Sequence, residues 1–297
     1  MIDTYRGRFA PSPSGPLHFG SLITATGSWC AARSRKGEWL IRIDDLDKPR
    51  IKTGAIDEIL MTLESFGLLW DKKVMYQSNQ IDFYVQYLEI LKKKKETYIC
   101  TCSRKDIVRN SRSRGVDGPI YPETCKQKFL KNIQGSIRIS VKNKLVEFTD
   151  TFQGKIKSNI MIDVGDFILK RADNVFSYHL ASIVDDHVMG ITHVSRGADL
   201  LHSPPRQIYL MNRLNLEIPI YSHLPLAIDK EGRKLSKQDR DDPIIKMNPG
   251  IAVWKTLKFL NQSPPVDLKT YQPKEILNWA VQNWKEHLVP GLKTIQI

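Results

Sequence analysis

Residues 10–21 have the sequence APSPSGPLHFGS, which places three prolines and two glycines directly before an amphipathic helical pattern. A strand pattern ends at Ala10, so the prolines stiffen the turn, while Gly15 and Gly20 let a ligand approach the backbone closely. A helix N-terminus offers unpaired N–H groups and partial positive charge to an anion. His18 is expected on the first turn of that helix. The segment predicts a phosphate-binding loop, and a rigid turn with a capping histidine is the alternative.

A second segment, GRKLSKQ at residues 232–238, has the composition of a phosphate-contacting loop. Lys234 and Lys237 are three positions apart, so both ammonium groups could reach one triphosphate. Such charges stabilise the negative charge that develops when a phosphate bond breaks. Surface loops of basic proteins also contain such lysines by chance. The segment therefore indicates phosphate binding only in combination with the loop at residues 10–21.

Strand and helix patterns alternate along the first third of the chain. Apolar residues at helical spacing predict helices, and short β-rich runs predict strands. Thr53 is the expected cap of the second helix, and Gly67 is expected to end it as a C′ glycine. This alternation indicates an α/β fold with a parallel sheet. The expected strands lie at 5–10 and 39–43, and the expected helices at 19–32, 56–66 and 81–91.

The pattern changes near residue 97, where cysteines, glycines and prolines are frequent. Alternating runs such as Ile137, Ile139 and Val141 then predict an antiparallel module inserted into the α/β fold. The α/β pattern resumes near Phe176, and further helices are expected after Lys237. The later expected elements are strands at 191–194 and 224–228 and helices beginning at 203 and covering 251–260 and 276–284.

Composition restricts the class of protein. The chain has 297 residues, enough for a substantial core and two or three domains. Its formal net charge of +13 favours a polyanionic partner such as nucleic acid. No apolar run approaches the length of a membrane span, and the N-terminus lacks an apolar signal core, so a cytoplasmic protein without a membrane partner is expected. Three of the four cysteines lie between 100 and 125, which favours a metal site over disulfides.

Together the two phosphate-contacting segments resemble the two signature sequences of class I aminoacyl-tRNA synthetases. PSPSGPLHFGS resembles the HIGH signature, and KLSKQ resembles the KMSKS signature. Other blocks are similar to the glutamyl subgroup of that family and occur in the same order, over about three quarters of the chain. These blocks are RFAPSPSGPLHFGSL (8–22), LIRIDDLD (40–47), IVDDHVMG (183–190), ITHVSRGADLL (191–201) and SPPRQIYL (203–210).

The resemblance implies an α/β fold of the class I synthetase type. In it, a Rossmann-like parallel sheet is split by a zinc-bearing insert and followed by a short C-terminal helical region. The implied boundaries are a first catalytic half at 1–98, the insert at 99–174, a second catalytic half at 175–230, and the KLSKQ loop with a helical stem-contact-like region at 231–297.

The resemblance also implies that ATP, with Mg²⁺, and L-glutamate form glutamyl-adenylate and pyrophosphate, after which the glutamyl group passes to a tRNA. In-line attack at the α-phosphate needs positioning and charge stabilisation more than covalent help from the protein. The implied catalytic residues are His18, Lys234 and Lys237. The implied ATP-binding residues are His18, Gly20, Ser21 and Lys237.

Glutamate requires a cation for its side-chain carboxylate and acceptors for its ammonium group. Arginine suits a carboxylate better than lysine because its planar fork donates two parallel hydrogen bonds. The glutamyl subgroup typically has Glu where this chain has Asp44, so the contact to the ammonium group would pass through water or be shared with Asp45. The residues implied for glutamate are Arg8, Phe9, Ala10, Pro11, Ser12, Asp44, Tyr178 and Arg196.

The cysteines form a candidate zinc site. Cys100-x-Cys102 and Cys125 supply three thiolates, and tetrahedral Zn²⁺ requires a fourth ligand. The residues alone leave Glu123, an aspartate, water and the phenol of Tyr121 open, and three inert buried cysteines are the alternative. The resembling family uses Cys-x-Cys with Tyr-x3-Cys, which implies Tyr121 and one structural zinc per chain.

The DDH motif at 185–187, with His179 and His193, could be mistaken for a metal site. It lacks the spacing of metal-binding histidines or carboxylates, so we expect it to satisfy backbone groups of loops.

The acceptor is a tRNA by resemblance. The match is closest to a truncated branch of the glutamyl subgroup that attaches glutamate to the queuosine base at the wobble position of tRNA(Asp). The sequence extends 59 residues beyond Gln238, and we expect that the helical anticodon-binding domain of a complete glutamyl-tRNA synthetase has no room there. A compact enzyme charging the 3′ end of tRNA(Glu) and a non-catalytic tRNA-binding paralogue are the alternatives.

Overall fold

The computed structural model describes residues 4–128, 130, 133–233 and 244–297, and these contain eight α-helices and fourteen strands. The helices are Phe19–Ser34 (α1), Ala55–Ser65 (α2), Ile81–Lys93 (α3), Arg104–Asn110 (α4), Tyr178–Val188 (α5), Pro204–Leu214 (α6), Pro249–Phe259 (α7) and Pro273–Asn283 (α8). The strands are Arg6–Phe9 (β1), Glu38–Ile43 (β2), Met75–Tyr76 (β3), Thr97–Cys100 (β4), Arg114–Gly115 (β5), Gly118–Pro119 (β6), Ser136–Ile139 (β7), Leu145–Asp150 (β8), Gly154–Asn159 (β9), Ile168–Lys170 (β10), His193–Gly197 (β11), Ile220–Leu224 (β12), Leu226–Ile228 (β13) and Thr294–Gln296 (β14).

The predicted helices are present, with one difference at the start of α2. That helix begins after Gly54, whose φ of 75° lies in the left-handed region, so Gly54 and not Thr53 is the capping residue. Gly67 has a φ of 72° and donates its N–H to the carbonyl of Glu64 at 2.9 Å, as predicted for a C′ glycine.

The parallel strands form three separate sheets rather than the single sheet that was predicted, and two of these sheets lie side by side. β1, β2 and β3 pair in that order, and β11 pairs with β12. β1 lies beside β11, and the N–H of Thr192 donates to the carbonyl of Arg6 at 3.0 Å. Further along, the Arg8 side chain binds the carbonyl of Ser195 at 3.4 Å. The Arg8 side chain thus binds a carbonyl that would accept a backbone N–H if β1 and β11 were paired along their whole length.

The predicted change to antiparallel pairing is confirmed. β7 pairs with both β4 and β10, and β8 and β9 form a hairpin. The C-terminal region contains the expected helices α7 and α8, and also β14, which pairs with β13 in parallel. A three-residue strand is too short to produce an alternating sequence pattern, so it was not predicted.

Two apolar clusters hold the elements together. The first joins α1, β1, β2 and α2 to the C-terminal helices α7 and α8. The second joins α3, α5, α6 and β11 to the antiparallel strands. The antiparallel strands therefore share a core with α3, α5, α6 and β11. Within the described parts of the chain, no helix has the length and apolarity that a membrane span requires.

Leu63→Ala tests the first cluster, because Leu63 of α2 is fully buried. We expect the free energy of unfolding to fall by about 2–5 kcal/mol through lost burial and a residual cavity. Met61→Ala in the same helix is the control, since that side chain is 62% exposed and its change should stay within about 0.5 kcal/mol. Urea denaturation measures both values, and equal effects would contradict the assigned packing.

Candidate active site

A cavity of about 550 Å³ lies where β1 ends, α1 begins and β11 ends. It brings together all the predicted glutamate residues and the three predicted ATP residues that the structure describes. Lys234 and Lys237 lie outside the described residues. The predicted residues that line the cavity are Arg8, Phe9, Ala10, Pro11, Ser12, His18, Gly20, Ser21, Asp44, Tyr178 and Arg196.

The loop between β1 and α1 is fixed by backbone hydrogen bonds to its neighbours. The carbonyl of Pro11 accepts from the N–H of Asp44, and that of Pro13 accepts from the N–H of Lys52, both at 3.0 Å. Gly15 has a φ of 136°, which residues with a side chain rarely adopt. The prolines and the glycine therefore have the function that the sequence suggested, which is to set the path of the loop.

His18 lies one position earlier than predicted. It is the N-cap of α1, with extended backbone angles, and its carbonyl accepts from the N–H of Leu22 at 3.1 Å. Gly20 and Ser21 form the first turn and line the cavity with it. The positive end of the α1 dipole is therefore part of the cavity wall, which suits an anionic ligand.

Arg8 is almost fully buried in β1 and is held by Asp186 of α5. Its Nε donates to Oδ1 at 3.0 Å and its Nη2 donates to Oδ2 at 3.4 Å, a two-point contact that fixes the guanidinium plane. Burial alone would raise the pKa of Asp186, but Arg8 and Arg42 outweigh burial and hold it below the ordinary value. Asp186 is thus a permanent counter-charge for Arg8.

Arg42 is a central residue that sequence analysis overlooked. It is fully buried in β2, and its Nε donates to Asp44 at 2.6 Å while its Nη1 donates to Asp186 at 2.7 Å. A carboxylate oxygen of Asp185 lies 3.6 Å away. The signal in the sequence was one arginine within the apolar run LIRI, since a charge in a buried strand requires buried partners.

The two aspartates of the DDH motif bind side chains, and not the loop backbone groups that were expected. Asp185 accepts from the hydroxyl of Tyr84 at 2.7 Å and from the amide of Gln77 at 2.6 Å. Burial raises the pKa of Asp185 to about 6. The helical spacing of α5 turns both aspartates inward and leaves His187 exposed, so the motif anchors α5 to β1, β2 and α3.

Arg196 of β11 is held by three neighbours and is nearly buried. Its Nε donates to His223 Nε2 at 3.0 Å, its Nη1 to Tyr178 Oη at 3.0 Å and its Nη2 to Gln207 Oε1 at 2.9 Å. These described contacts use three of the five N–H donors of a guanidinium. The group therefore retains the capacity to bind a carboxylate in the cavity.

Three thiols form a second cluster, at the end of β4 and beside α4. The sulfurs of Cys100, Cys102 and Cys125 all lie within 4.8 Å of one another, and Cys102 and Cys125 are 3.6 Å apart. Tetrahedral zinc with bonds of about 2.3 Å separates its sulfurs by about 3.8 Å. The cluster could therefore bind a metal ion.

Tyr121 adjoins the thiols. Its hydroxyl lies 3.7 Å from the sulfur of Cys102 and accepts from the N–H of Cys125 at 2.8 Å. Burial opposes ionisation of Cys125, but hydrogen bonds from Tyr121 and Thr101 outweigh it and lower the pKa of the thiol to about 6. A thiol that ionises near neutral pH is a better metal ligand.

A larger cavity of about 1120 Å³ adjoins the first and shares Ser12, Asp44, Arg50 and Tyr178 with it. Its wall includes the predicted ligand Tyr121 and several residues of the inserted module. Five arginines line it beside four aspartates, so the arginines outnumber the aspartates by one. The arginines are Arg50, Arg104, Arg138, Arg171 and Arg206, and the aspartates are Asp44, Asp47, Asp117 and Asp166.

Comparison with solved structures relates the fold to known synthetases. A glutamate tRNA ligase from Elizabethkingia meningosepticum superposes with a TM-score of 0.79 at 23% identity, over 98% of this chain and 66% of that one. The glutamate-tRNA synthetase from Elizabethkingia anophelis gives the same TM-score at 24% identity, over 99% of this chain and 68% of that one. The chain therefore has the class I synthetase fold and spans about two thirds of the length of those proteins.

Sequence comparison is more specific. Residues 4–255 match the family described as tRNA synthetases class I (E and Q), catalytic domain. A glutamyl-Q tRNA(Asp) synthetase from Dechloromonas aromatica is 43% identical over 292 residues, which cover 98% of this chain and 97% of that protein. The protein of the same name from a Synechococcus species is 45% identical over 287 residues, 96% of each. The chain therefore belongs to the glutamyl-Q tRNA(Asp) synthetases, a family of ligases within the class I tRNA synthetases.

Proposed function

We propose that this enzyme activates L-glutamate with ATP as glutamyl-adenylate and transfers the glutamyl group to the queuosine base at the wobble position of tRNA(Asp). The observation that carries the proposal is the cavity at the N-terminus of α1, because it combines a helix end that suits an anion with Arg8, Arg196 and the carboxylate of Asp44. The names of the relatives supply the acceptor.

In the activation step, the cavity holds the two substrates side by side. Arg8 and Arg196 bind the carboxylates of glutamate, and Asp44 binds its ammonium group. His18 and the first turn of α1 contact the ATP phosphates, and Mg²⁺ bound with ATP would neutralise part of their charge. A glutamate carboxylate oxygen attacks the α-phosphorus, the bond to the bridging oxygen breaks, and pyrophosphate leaves.

The larger cavity takes the acceptor in the second step. The arginines in its wall suit a nucleotide with flanking phosphates, and an acceptor bound next to the residues shared with the first cavity would lie beside the adenylate. Queuosine has a cyclopentenediol group, and one of its hydroxyl oxygens attacks the carbonyl carbon of glutamyl-adenylate. The hydroxyl loses its proton to solvent, the bond from the carbonyl carbon to the phosphate oxygen breaks, and AMP leaves.

Transfer of labelled glutamate tests the proposed reaction. We expect label, with ATP and Mg²⁺ present, on tRNA(Asp) that contains queuosine and not on the same tRNA without it, because the diol is the nucleophile. The product should survive removal of the 3′-terminal nucleotides. Label on tRNA(Glu) that is lost with its 3′ end would indicate a compact charging enzyme instead, and adenylate formation without any transfer would contradict the acceptor.

Asp44→Asn tests the ammonium contact. We expect the substitution to weaken glutamate binding about 10–100-fold, the range for a lost charge-assisted hydrogen bond. Glutarate, which lacks the amino group, is the matched ligand, and its affinity should change less than about threefold. Calorimetric titration of both ligands into both proteins gives the comparison. An equal loss for glutarate would mean that the substitution acts through Arg42, the partner of Asp44.

We also propose that the thiol cluster binds one structural Zn²⁺, with Tyr121 as the fourth ligand. The three sulfurs have suitable spacing, and Tyr121 already contacts two of the cysteines. Glu123, one of the other candidates, pairs with Lys126 at 2.6 Å. Zinc would link α4 and the loop around Tyr121 to β4, which fixes one wall of the larger cavity.

Cys102→Ser tests the ligand set. We expect it to retain less than about 0.2 zinc per chain, against about one in the unaltered protein, because a three-ligand site binds zinc weakly. Cys30→Ala is the control, since Cys30 lies buried in α1 outside the cluster and its loss should leave the zinc content unchanged. Metal analysis of dialysed proteins measures both, and a full zinc equivalent in Cys102→Ser would overturn the assignment.

A further inference from the structure

A row of buried hydrogen bonds connects the inserted hairpin to the cavity. Asp150, the last residue of β8, contacts His223 Nδ1 through its Oδ2 at 2.6 Å. The other ring nitrogen of His223 faces Arg196 Nε at 3.0 Å. Asp150 and His223 have almost no solvent exposure, and Arg196 lines the cavity. The row therefore extends from the insert to a predicted binding residue.

The direction of each hydrogen bond follows from its partners. The Nε–H of Arg196 can only donate, so Nε2 of His223 must accept and carry no proton. The neutral ring then has its proton on Nδ1 and donates it to Asp150. Burial, together with the charge of Arg196, lowers the pKa of His223. Asp150 thus selects the tautomer that offers a lone pair to Arg196.

Asp150 is itself held by the backbone. Its Oδ1 accepts from the N–H groups of Phe152, Gln153 and His223 at 3.0–3.1 Å, which leaves Oδ2 for the ring. The turn after β8 is also fixed to β12, because Thr151 N donates to the carbonyl of Tyr221 at 2.9 Å. The carboxylate is therefore rigid, and the imidazole between it and Arg196 has one orientation.

We propose that His223 and Asp150 are positioning residues that hold Arg196 in the orientation that binds a carboxylate of the amino-acid substrate. The inference rests on the proposed function, because it takes Arg196 as a contact to glutamate. A guanidinium held at Nε presents its Nη edge in one plane, and two-point recognition of a carboxylate requires that plane to be fixed. The hairpin of the insert thereby contributes to the amino-acid half of the cavity.

Substitutions of His223 distinguish a positioning role from a purely structural role for His223 and Asp150. Asn at 223 keeps a donor for Asp150 near the place of Nδ1 but has no acceptor that reaches Arg196. Gln at 223 keeps an acceptor near the place of Nε2 but leaves Asp150 without its ring partner. If the pair only stabilises the fold, His223→Gln is the more damaging change. If it positions Arg196, His223→Asn is the more damaging for glutamate.

Asp150→Asn provides a second variant with little change in shape. The amide oxygen stays with the three backbone N–H groups, which need an acceptor, so the NH₂ group faces His223 Nδ1. The ring must then take the other tautomer, and its Nε2–H meets the donor of Arg196. Asp150→Asn should therefore resemble His223→Asn in its effect on glutamate.

Glutamate-dependent ATP–pyrophosphate exchange, with thermal melting of each variant, tests the inference. We expect KM for glutamate to rise about tenfold in His223→Asn and in Asp150→Asn, and less than about threefold in His223→Gln, with KM for ATP within about twofold throughout. Unchanged KM for glutamate in a folded Asp150→Asn or His223→Asn protein would overturn it, as would a larger rise in His223→Gln. Failure of the unaltered protein to exchange would instead refute the proposed activation of glutamate.

Discussion

The buried guanidinium of Arg42 is the interaction on which the geometry of the cavity depends. A charge without solvent contact is tolerated only when counter-charges surround it, and here Asp44 and Asp186 accept hydrogen bonds from Arg42 while a carboxylate oxygen of Asp185 lies 3.6 Å away. These partners belong to the end of β2 and to α5, and Asp186 also binds Arg8 of β1. One cation therefore fixes the relative positions of three elements. The network gives the site a defined arrangement, while the apolar clusters around it supply most of the stability.

The same network explains how a site can form between the sheet of β1, β2 and β3 and the sheet of β11 and β12, which are not paired into one sheet. β1 and β11 lie side by side, and Arg8 joins them by binding Asp186 and the carbonyl of Ser195. Side-chain hydrogen bonds thus replace part of the backbone pairing at the place where the cavity opens. A gap between neighbouring parallel strands is a common position for a ligand, because the carboxyl ends of the strands leave a crevice there.

Sequence patterns predicted the parts of this structure that local chemistry dictates. Prolines and Gly15 indicated the loop before α1, Gly67 indicated a helix end, and Cys100, Cys102 and Cys125 indicated a cluster. Contacts between distant residues leave no such pattern. The pairing of Arg8 with Asp186 joins positions 178 apart, and only the apolar run around Arg42 hinted at buried charge. The sequence around His223 gives no indication of its role, because one histidine in a strand is compatible with a buried core position, an exposed position or a binding site.

The antiparallel strands are more than a separate module attached to the rest of the fold. They share an apolar cluster with α5 and α6, their loops line the larger cavity, and their hairpin ends in Asp150 against β12. A displacement of these strands would therefore change the wall of the larger cavity and the partner of His223 together. Rigid attachment of the hairpin follows from elementary energetics, since Asp150 is buried and would lose its two hydrogen bonds to His223 if the hairpin moved away. The hairpin and the side of the cavity that Arg196 lines are consequently connected through Asp150 and His223.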